Sequence, residues 1–321
     1  MSLAPAFEAV PAELVHKRAA AGVLLNGWRR TGERTHQVIA RWPRADGFYT
    51  RPDGRPDPML HIESVRQCLP LLSHAAFGVP LEHHLVWESF RCTLGPGAPD
   101  PERPLDEVEI DVHCDEVRIR GTRVTALALS FTVRQDTAIL ATAHTRFTVQ
   151  IPPVYQRLRG DRVTVSSANH LRSALPEPLG ARAVGRLAES DVLLSATARR
   201  HVWRLRVNPR HPVFFDHPVD HVPGALLLGA ALQAAHATAH SHQIVEINGR
   251  FSRFVEFADP CTIVARLPLD TSPCRKQVEV AFLQPGQGSE PAFSATVTLS
   301  PAASGRAVPG SEPWRSRSRC R

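Results

Sequence analysis

Two Asp-His pairs stand immediately before an apolar segment of this 321-residue chain. They are Asp216-His217 and Asp220-His221, in the sequence "DHPVDHVPGALLLGAALQAA" at residues 216–235. A carboxylate beside an imidazole can hold a metal ion or move protons, because histidine changes its charge near neutral pH. The second half of the segment carries almost no polar side chain, so any chemistry belongs to the two pairs and to the turn that contains them.

The spacing of these residues argues against a metal site. His217 and His221 are four residues apart, as in helical zinc sites, but Pro218 and Pro223 prevent a regular helix from passing through both. No third ligand lies nearby in the sequence. We therefore predict no metal and no other cofactor, and we expect Asp220 or a neighbour to cap the helix that follows.

The start of that helix predicts an anion-stabilising site. Backbone N–H groups in the first turn of a buried helix have no partner within the helix, and the helix dipole lies behind them. Gly224 follows Pro223 and lets the backbone approach a ligand closely, because glycine has no side chain. We predict that these amides stabilise a developing oxyanion.

A second candidate set is Glu63-x-x-Arg66-Gln67, in an earlier apolar segment. Burial of a carboxylate is costly without partners and raises its pKa towards values useful in catalysis, so Glu63 is a candidate general base. The alternative is a salt bridge to Arg66, three residues on along the same helix face. Arg66 could also hold an anionic group. We expect Gln67 and its counterpart Gln233 mainly to bond backbone groups between the two helices.

Two apolar-periodic segments predict the helices that carry these residues. The first covers residues 57–78, with Asp57 as N-cap, Pro58 as first helical residue, Pro70 as a kink and Gly78 as the stop. The second runs from about residue 222 to about residue 242.

Alternating segments rich in Val, Ile, Phe and Thr predict strands after each helix. They are residues 108–121, 123–135 and 138–150 in the first half, and 243–257, 261–268, 276–284 and 292–300 in the second. A strand pair also precedes each helix, within residues 23–44 and 192–207. The order of strand pair, long helix and antiparallel strands therefore occurs twice.

The helices match at a constant spacing of 166 residues, with residues 63–67 equivalent to residues 229–233. A long helix wrapped by a curved antiparallel sheet is the hot-dog architecture, so we predict an α+β, double hot-dog fold. The predicted parts are a first hot-dog unit at residues 1–165, a linker at 166–186, a second unit at 187–300 and a disordered basic tail at 301–321.

The composition limits the classes of partner that we expect for this protein. The formal charge is +7, but only Lys17 and Lys276 are lysines and no nucleic-acid-binding motif is present, so we predict no nucleic acid. An acidic protein or a phosphorylated small molecule fits a basic surface equally well. The six cysteines lack the paired spacing of a zinc site or disulfide framework. No run approaches the roughly 20 apolar residues of a membrane span, and we expect a cytoplasmic protein without membrane contact.

The segment "HPVFFDHPVDHVPGALLLGAALQAA" resembles the A-factor biosynthesis family, the γ-butyrolactone synthases. The segments "VHKRAAAGVLLNGWRRTG", "DPMLHIESVRQ", "HAAFGVPLEHHLVWE" and "PPVYQRLRG" resemble it too, so the resemblance covers about residues 14–300. It implies two hot-dog units and transfer of a β-ketoacyl group from acyl carrier protein to the hydroxyl of dihydroxyacetone phosphate. The ester then closes to a butenolide phosphate. A homodimer is one further assembly that hot-dog proteins adopt.

The resemblance also implies roles for single residues. Glu63 takes the place of the catalytic acid of the similar hot-dog dehydratases and His217 falls near their catalytic histidine, while Arg66 serves as the anion clamp. The residues expected around the substrate are Gln67, Asp220, His221, Gly224 and Gln233.

This chain departs from the family pattern in the second helix. Gly229 stands where the pattern has Glu, and Leu232 where it has Arg. Because such polar side chains would reach the active-site cleft, three outcomes stay open. One cleft is intact and uses Glu63 and Arg66, or the acceptor differs, or the protein is a non-catalytic paralogue that binds an acyl or butenolide ligand. Another hot-dog activity, dehydratase or thioesterase, is a further alternative.

Overall fold

The computed structural model describes residues 5–43, 47–95, 107–164, 175–240, 242–268 and 275–301. Within these ranges thirteen strands form one antiparallel sheet. In chain order β1 to β13 they are Glu8–Ala9, Leu25–Arg30, Thr35–Arg41, His84–Leu94, Glu107–Arg120, Arg123–Gln135, Ala138–Gln150, Leu194–Ala196, Val202–Leu205, His242–Phe251, Thr262–Arg266, Lys276–Leu283 and Phe293–Pro301. The predicted tail after residue 301 and the linker residues 166–174 lie outside the described residues.

The strand order has the same pattern from both ends. The sheet runs β1-β2-β3-β5-β6-β7-β4-β10-β13-β12-β11-β9-β8, so the order β2-β3-β5-β6-β7-β4 of the first unit is repeated as β8-β9-β11-β12-β13-β10 in the second. Antiparallel pairing of β4 with β10 joins the two units. The predicted double hot-dog fold is therefore confirmed.

The strands predicted after each helix are confirmed. One further strand, β4, was not predicted, because its residues show no regular alternation. Its sequence "HLVWESFRCTL" shows no regular burial of every second residue. The strand lies at the junction of the units, where it pairs with β7 on one side and β10 on the other. Its surroundings therefore do not follow the simple core-and-solvent alternation from which strands are predicted.

Three α-helices complete the described fold: α1 at Pro58–Ala75, α2 at Pro152–Arg159 and α3 at Gly224–Thr238. In α1 and α3 almost every side chain is buried, because the sheet wraps around both. Within the described residues, no helix has the length and apolar character that spanning a membrane requires.

The two long helices begin differently. Asp57 is the N-cap of α1, as predicted, and its side chain accepts a hydrogen bond from the Met59 N–H at 2.8 Å. The N-cap of α3 is Pro223, with no side-chain cap. The predicted cap by Asp220 and the predicted boundaries of α3 are wrong, because Pro223 fixes the helix start and no side chain reaches its amides.

Short 3-10 helices at Ala12–Val15 and Ala181–Val184 precede the equivalent strands β2 and β8 of the two units. Each ends in a residue with left-handed backbone, His16 (φ 53°) and Gly185 (φ 72°). The second of these helices falls within the predicted linker, so the folded part of the second unit begins no later than residue 181.

Gln67 and Gln233 perform the same task in the two units. Each side-chain amide bonds two backbone groups of the segment that enters the sheet of its own unit, and not groups between the two helices as expected. The four bonds are Leu24 N to Gln67 Oε1 at 2.9 Å, Gln67 Nε2 to Gly22 O at 2.8 Å, Leu193 N to Gln233 Oε1 at 2.8 Å and Gln233 Nε2 to Asp191 O at 2.8 Å.

Replacing either glutamine by leucine should therefore destabilise the fold. Gln67→Leu and Gln233→Leu each leave a buried N–H and a buried C=O without a partner, which lowers the free energy of unfolding by about 2–4 kcal/mol. Urea unfolding measures the change, and Gln156→Leu on the exposed face of α2 is the control, which leaves stability nearly unchanged. Equal stability of the Gln233→Leu variant and the control would contradict this role.

Candidate functional site

A cavity of about 1280 Å³ lies between the two units. Its walls include residues 16–18 and 81–88, part of α2, and residues 217–222 and 251–256. Trp87 and Phe251, stacked with ring centroids 5.1 Å apart, form an apolar part of the wall. Pockets for single small ligands are usually about 300–1,000 Å³, so this cavity has room for a long ligand or for two.

Asp220 and His221 form a hydrogen-bonded pair in this wall. The Nδ1 of His221 donates to Oδ1 of Asp220 at 2.7 Å. Burial by itself would raise the pKa of Asp220, but the bonds from His221 and Arg159 outweigh it and hold the pKa well below its usual value. Because Nδ1 carries the hydrogen of this bond, the free ring nitrogen is Nε2, which is the arrangement of a general base with its orienting carboxylate.

Arg159 holds this pair in place. Its guanidinium donates to Asp220 Oδ2 at 2.8 Å and to both carboxylate oxygens of Glu256, at 2.7 and 2.9 Å, and its side chain is 1% exposed. The Tyr155 hydroxyl also donates to Asp220, 2.9 Å from either oxygen. Neither residue was predicted as part of the site, although the motif "PPVYQRLRG" contains both.

Glu63 is buried among three donors. Arg66 donates to Oε2 and Oε1 at 2.7 and 2.8 Å, Lys17 Nζ lies 3.1 Å from Oε1, and Gln67 Nε2 donates at 2.9 Å. Burial would raise the pKa of Glu63, but Arg66, Lys17 and Gln67 outweigh it and lower the pKa to about 2. The expected raised pKa is wrong, and the salt bridge given as the alternative is present. Such a carboxylate binds protons too weakly to be a good base at neutral pH.

The residues around Glu63 separate it from the cavity. Neither Glu63 nor Arg66 is part of the lining, whereas His16 and Lys17 are. His16 Nε2 lies 2.8 Å from His74 Nε2, and burial, with His74 next in effect, lowers the pKa of His16 to about 3. The roles predicted for Glu63 and Arg66 at the substrate therefore have no support from their position.

His217 lines the cavity but lacks an orienting partner among the described residues. Its Nδ1 is 4.0 Å from Asp216, whose carboxylate instead accepts hydrogen bonds from the backbone N–H groups of Arg18 and Ala19. Burial lowers the pKa of His217. Of the two predicted histidines, His221 has the geometry of a base and His217 does not.

Gly224 lines the cavity at the start of α3. A Cβ at this position would lie 2.5 Å from the Trp87 ring, so glycine is required by the packing of Trp87. Among the described residues, the N–H groups of Gly224 and Ala225 have no hydrogen-bond acceptor. Gly224 lines the cavity and Ala225 does not, so the role of these amides as oxyanion donors stays a prediction. The structural reason for the glycine is the packing of Trp87.

The equivalent cleft on the other side of the repeat is closed. Only about 20 Å³ remains between the first turn of α1, Arg186 and the middle of α3. Arg186 donates to Phe48 O at 2.9 Å and to the Asp57 carboxylate at 3.3 Å, and Leu232 lines the remaining space.

Gly229 belongs to the same closed side. A Cβ at Gly229 would be 3.2 Å from Leu193 and 3.4 Å from Phe214. The expectation that a Glu and an Arg at positions 229 and 232 would reach the active-site cleft is therefore wrong for the open cavity. Their replacement removes no charge from it.

Within the described residues, no three His, Cys, Asp or Glu side chains are grouped as a metal site. The fold and the open cavity define a double hot-dog protein with a large cavity between its units.

Two solved structures have a fold similar to that of this chain. The chain is similar to an acyl-ACP thioesterase from Bacteroides thetaiotaomicron, with 13% identity, a TM-score of 0.52, and coverage of 84% of this chain and 100% of that one. It is also similar to the 12:0-ACP thioesterase from Umbellularia californica, with 13% identity, a TM-score of 0.51, and coverage of 85% and 100%. At this identity the likeness establishes the fold alone.

Sequence comparison gives the family. Residues 1–150 and 167–257 match the A-factor biosynthesis hotdog domain. The chain is 43% identical over 259 residues to a 2-oxo-3-(phosphooxy)propyl 3-oxoalkanoate synthase of Streptomyces virginiae, covering 80% of this chain and 86% of that protein. It is 37% identical to the synthase of the same name from Streptomyces coelicolor, covering 80% and 81%. The protein belongs to the A-factor biosynthesis hotdog family.

The buried charge cluster gives a stability prediction. Glu63→Gln leaves Lys17 and Arg66 without their shared carboxylate, which should cost about 3–5 kcal/mol at neutral pH. Because the folded pKa of Glu63 is about 2, below its ordinary 4.5, the carboxylate stabilises the fold above pH 4.5 and loses this effect as the pH falls towards 2.

Denaturant unfolding at pH 7 and at pH 3 measures both effects. The difference between wild type and Glu63→Gln should shrink at the lower pH, whereas Glu13→Gln on the surface should match wild type at both. A Glu63→Gln variant as stable as wild type at pH 7 would refute the importance of the cluster.

Proposed function

We propose that this protein transfers a 3-oxoacyl group from a thioester to the free hydroxyl of dihydroxyacetone phosphate. The product of that reaction is the ester in the name of its relatives, 2-oxo-3-(phosphooxy)propyl 3-oxoalkanoate. The observation that carries the proposal is the Asp220–His221 pair, which lines a cavity large enough for both substrates.

In the proposed reaction His221 Nε2 takes the proton of the acceptor hydroxyl while the hydroxyl oxygen attacks the thioester carbonyl carbon. Asp220 stabilises the imidazolium that forms, because it remains a carboxylate. Glu256 and Arg159 keep Asp220 in place. The carbonyl oxygen becomes negative and lies by the unpaired N–H groups of Gly224 and Ala225, where the α3 dipole favours the negative charge.

The tetrahedral intermediate then breaks its carbon–sulfur bond. The leaving thiolate recovers the proton from His221, so the base is regenerated and no proton is gained or lost. The acceptor phosphate fits the end of the cavity where Lys17 and Arg18 lie, because cationic side chains there can bind its oxygens.

We assign the acyl donor to acyl carrier protein. A thioester on a carrier reaches the site through a long phosphopantetheine arm, and the cavity is larger than a single small ligand needs. The closed second cleft supports one reaction site for each chain, formed by the start of α3 and the residues of the first unit that face it.

A product assay tests the proposal. The protein is incubated with a 3-oxoacyl thioester and dihydroxyacetone phosphate, and mass spectrometry should detect the phosphorylated ester. His221→Ala should lower kcat by about 10²- to 10⁴-fold, the usual contribution of a general base, while His113→Ala on exposed β5 leaves kcat unchanged.

Two results would contradict the proposed function. Release of free 3-oxo acid independent of the acceptor indicates a thioesterase. Thermal stabilisation by the thioester without any product indicates a binding protein, the non-catalytic alternative.

A further inference from the structure

An apolar stripe runs along the outer face of α2 to the mouth of the open cavity. Val154 and Leu158 are four residues apart on this helix, and they are 40% and 58% exposed. Leu81, 49% exposed, lines the cavity together with Leu158. Large side chains this exposed on one continuous surface mark an interaction site more often than an ordinary surface.

The stripe is held rigidly against the cavity. The buried face of α2 carries Tyr155 and Arg159, which bond Asp220 in the cavity wall. The ring of His84 stacks on Tyr155 with centroids 3.7 Å apart, and this contact fixes residues 81–84 beside the helix. The outer face of α2 is therefore a preformed surface at the entrance of the site.

The charges along this surface are mainly positive. Arg157 is exposed between the two apolar residues and forms no ion pair with the described residues. Arg162 is 63% exposed, and its carboxylate neighbour Glu256, at 3.7 Å, already binds Arg159. Arg18, also exposed, lies on the rim. The exposed acidic side chains nearby are Glu82, Glu88, which is paired with Arg146, and Asp161 in the turn after α2.

We propose that the outer face of α2, with Val154, Arg157 and Leu158, is the docking surface for the acidic carrier protein that delivers the thioester. This inference rests on the proposed function. A carrier must cover the mouth while its arm reaches the site, and an acidic helical surface with apolar residues complements this stripe in both charge and hydrophobicity.

The test compares a thioester on acyl carrier protein with the same acyl group on N-acetylcysteamine, which needs no docking. The variants are Val154→Glu and Arg157→Glu, because neither residue lines the cavity. Each should raise the KM for the carrier substrate by about tenfold and leave kcat/KM for the small thioester within about twofold. The matched controls are Ile139→Glu (residue 47% exposed), at the opposite end of β7 from α2, and Arg200→Glu, an exposed residue between β8 and β9 at the far edge of the sheet, and they should leave both substrates unaffected.

The dependence of KM on salt concentration gives a second measurement. The wild-type KM for the carrier should rise with ionic strength more steeply than that of Arg157→Glu, because surface charge pairs are screened. An unchanged carrier KM in both variants would overturn the proposal, as would an equal loss with the two thioesters. A change in oligomeric mass in the variants would show that a second copy of the chain occupies the stripe, which also overturns it.

If wild type makes no ester at all, the proposed function fails and the docking surface is still tested. Holo-carrier without an acyl group is then titrated onto the protein in a calorimeter. Weaker binding by Val154→Glu than by Ile139→Glu supports the surface, and equal binding overturns it.

Discussion

The pairing of β4 with β10 is the constraint on which the rest of the structure depends. This pairing, with Cys92 opposite Ile247 and Phe90 opposite Gly249, makes one sheet of the two units. The start of α1 lies beside the middle of α3, where Met59 is close to Gly229, and two equivalent clefts follow from the repeat. The backbone of β10 packs closely against the core at this pairing, because a Cβ at Gly249 would be 2.9 Å from the Phe293 ring.

A few side chains make the two equivalent clefts different, so that one is filled and the other is open. At the start of α1, the Asp57 cap and Arg186 occupy the space where a ligand would bind. At the start of α3 no side chain caps the helix, and Trp87 packs against Gly224 to shape an open wall. A helix end that is left uncapped costs stability, and it is retained where free N–H groups have a use.

Buried charges fix the open side in two complementary ways. One carboxylate, Glu63, is shared by Lys17 and Arg66, whereas one guanidinium, Arg159, is shared by Asp220 and Glu256. Each arrangement ties segments that are distant in the chain, because a buried charge is tolerated only with its partners. The first supports the wall from behind, and the second orients the residue that faces the cavity.

Local sequence patterns were sufficient for much of the fold. Alternation located most strands, and Asp57-Pro58 located the start of α1, because both depend on neighbouring residues. The site depends on distant ones. The partners of Arg159 are 61 and 97 residues away, and nothing in the spacing around Glu63 indicates that Lys17 lies beside it. The pKa of Glu63 was therefore predicted in the wrong direction, and Arg159 was missed.

The central claim is that the repeat yields one working cleft in each chain. The most direct test is the stoichiometry of binding of a non-hydrolysable 3-oxoacyl-pantetheine analogue, measured by titration calorimetry. The structure predicts one molecule bound per chain, and a binding heat that is lost in Ser252→Trp, because Ser252 is an exposed residue of the cavity lining and a larger side chain there narrows the cavity. Two molecules per chain, or unchanged binding by Ser252→Trp, would contradict the account.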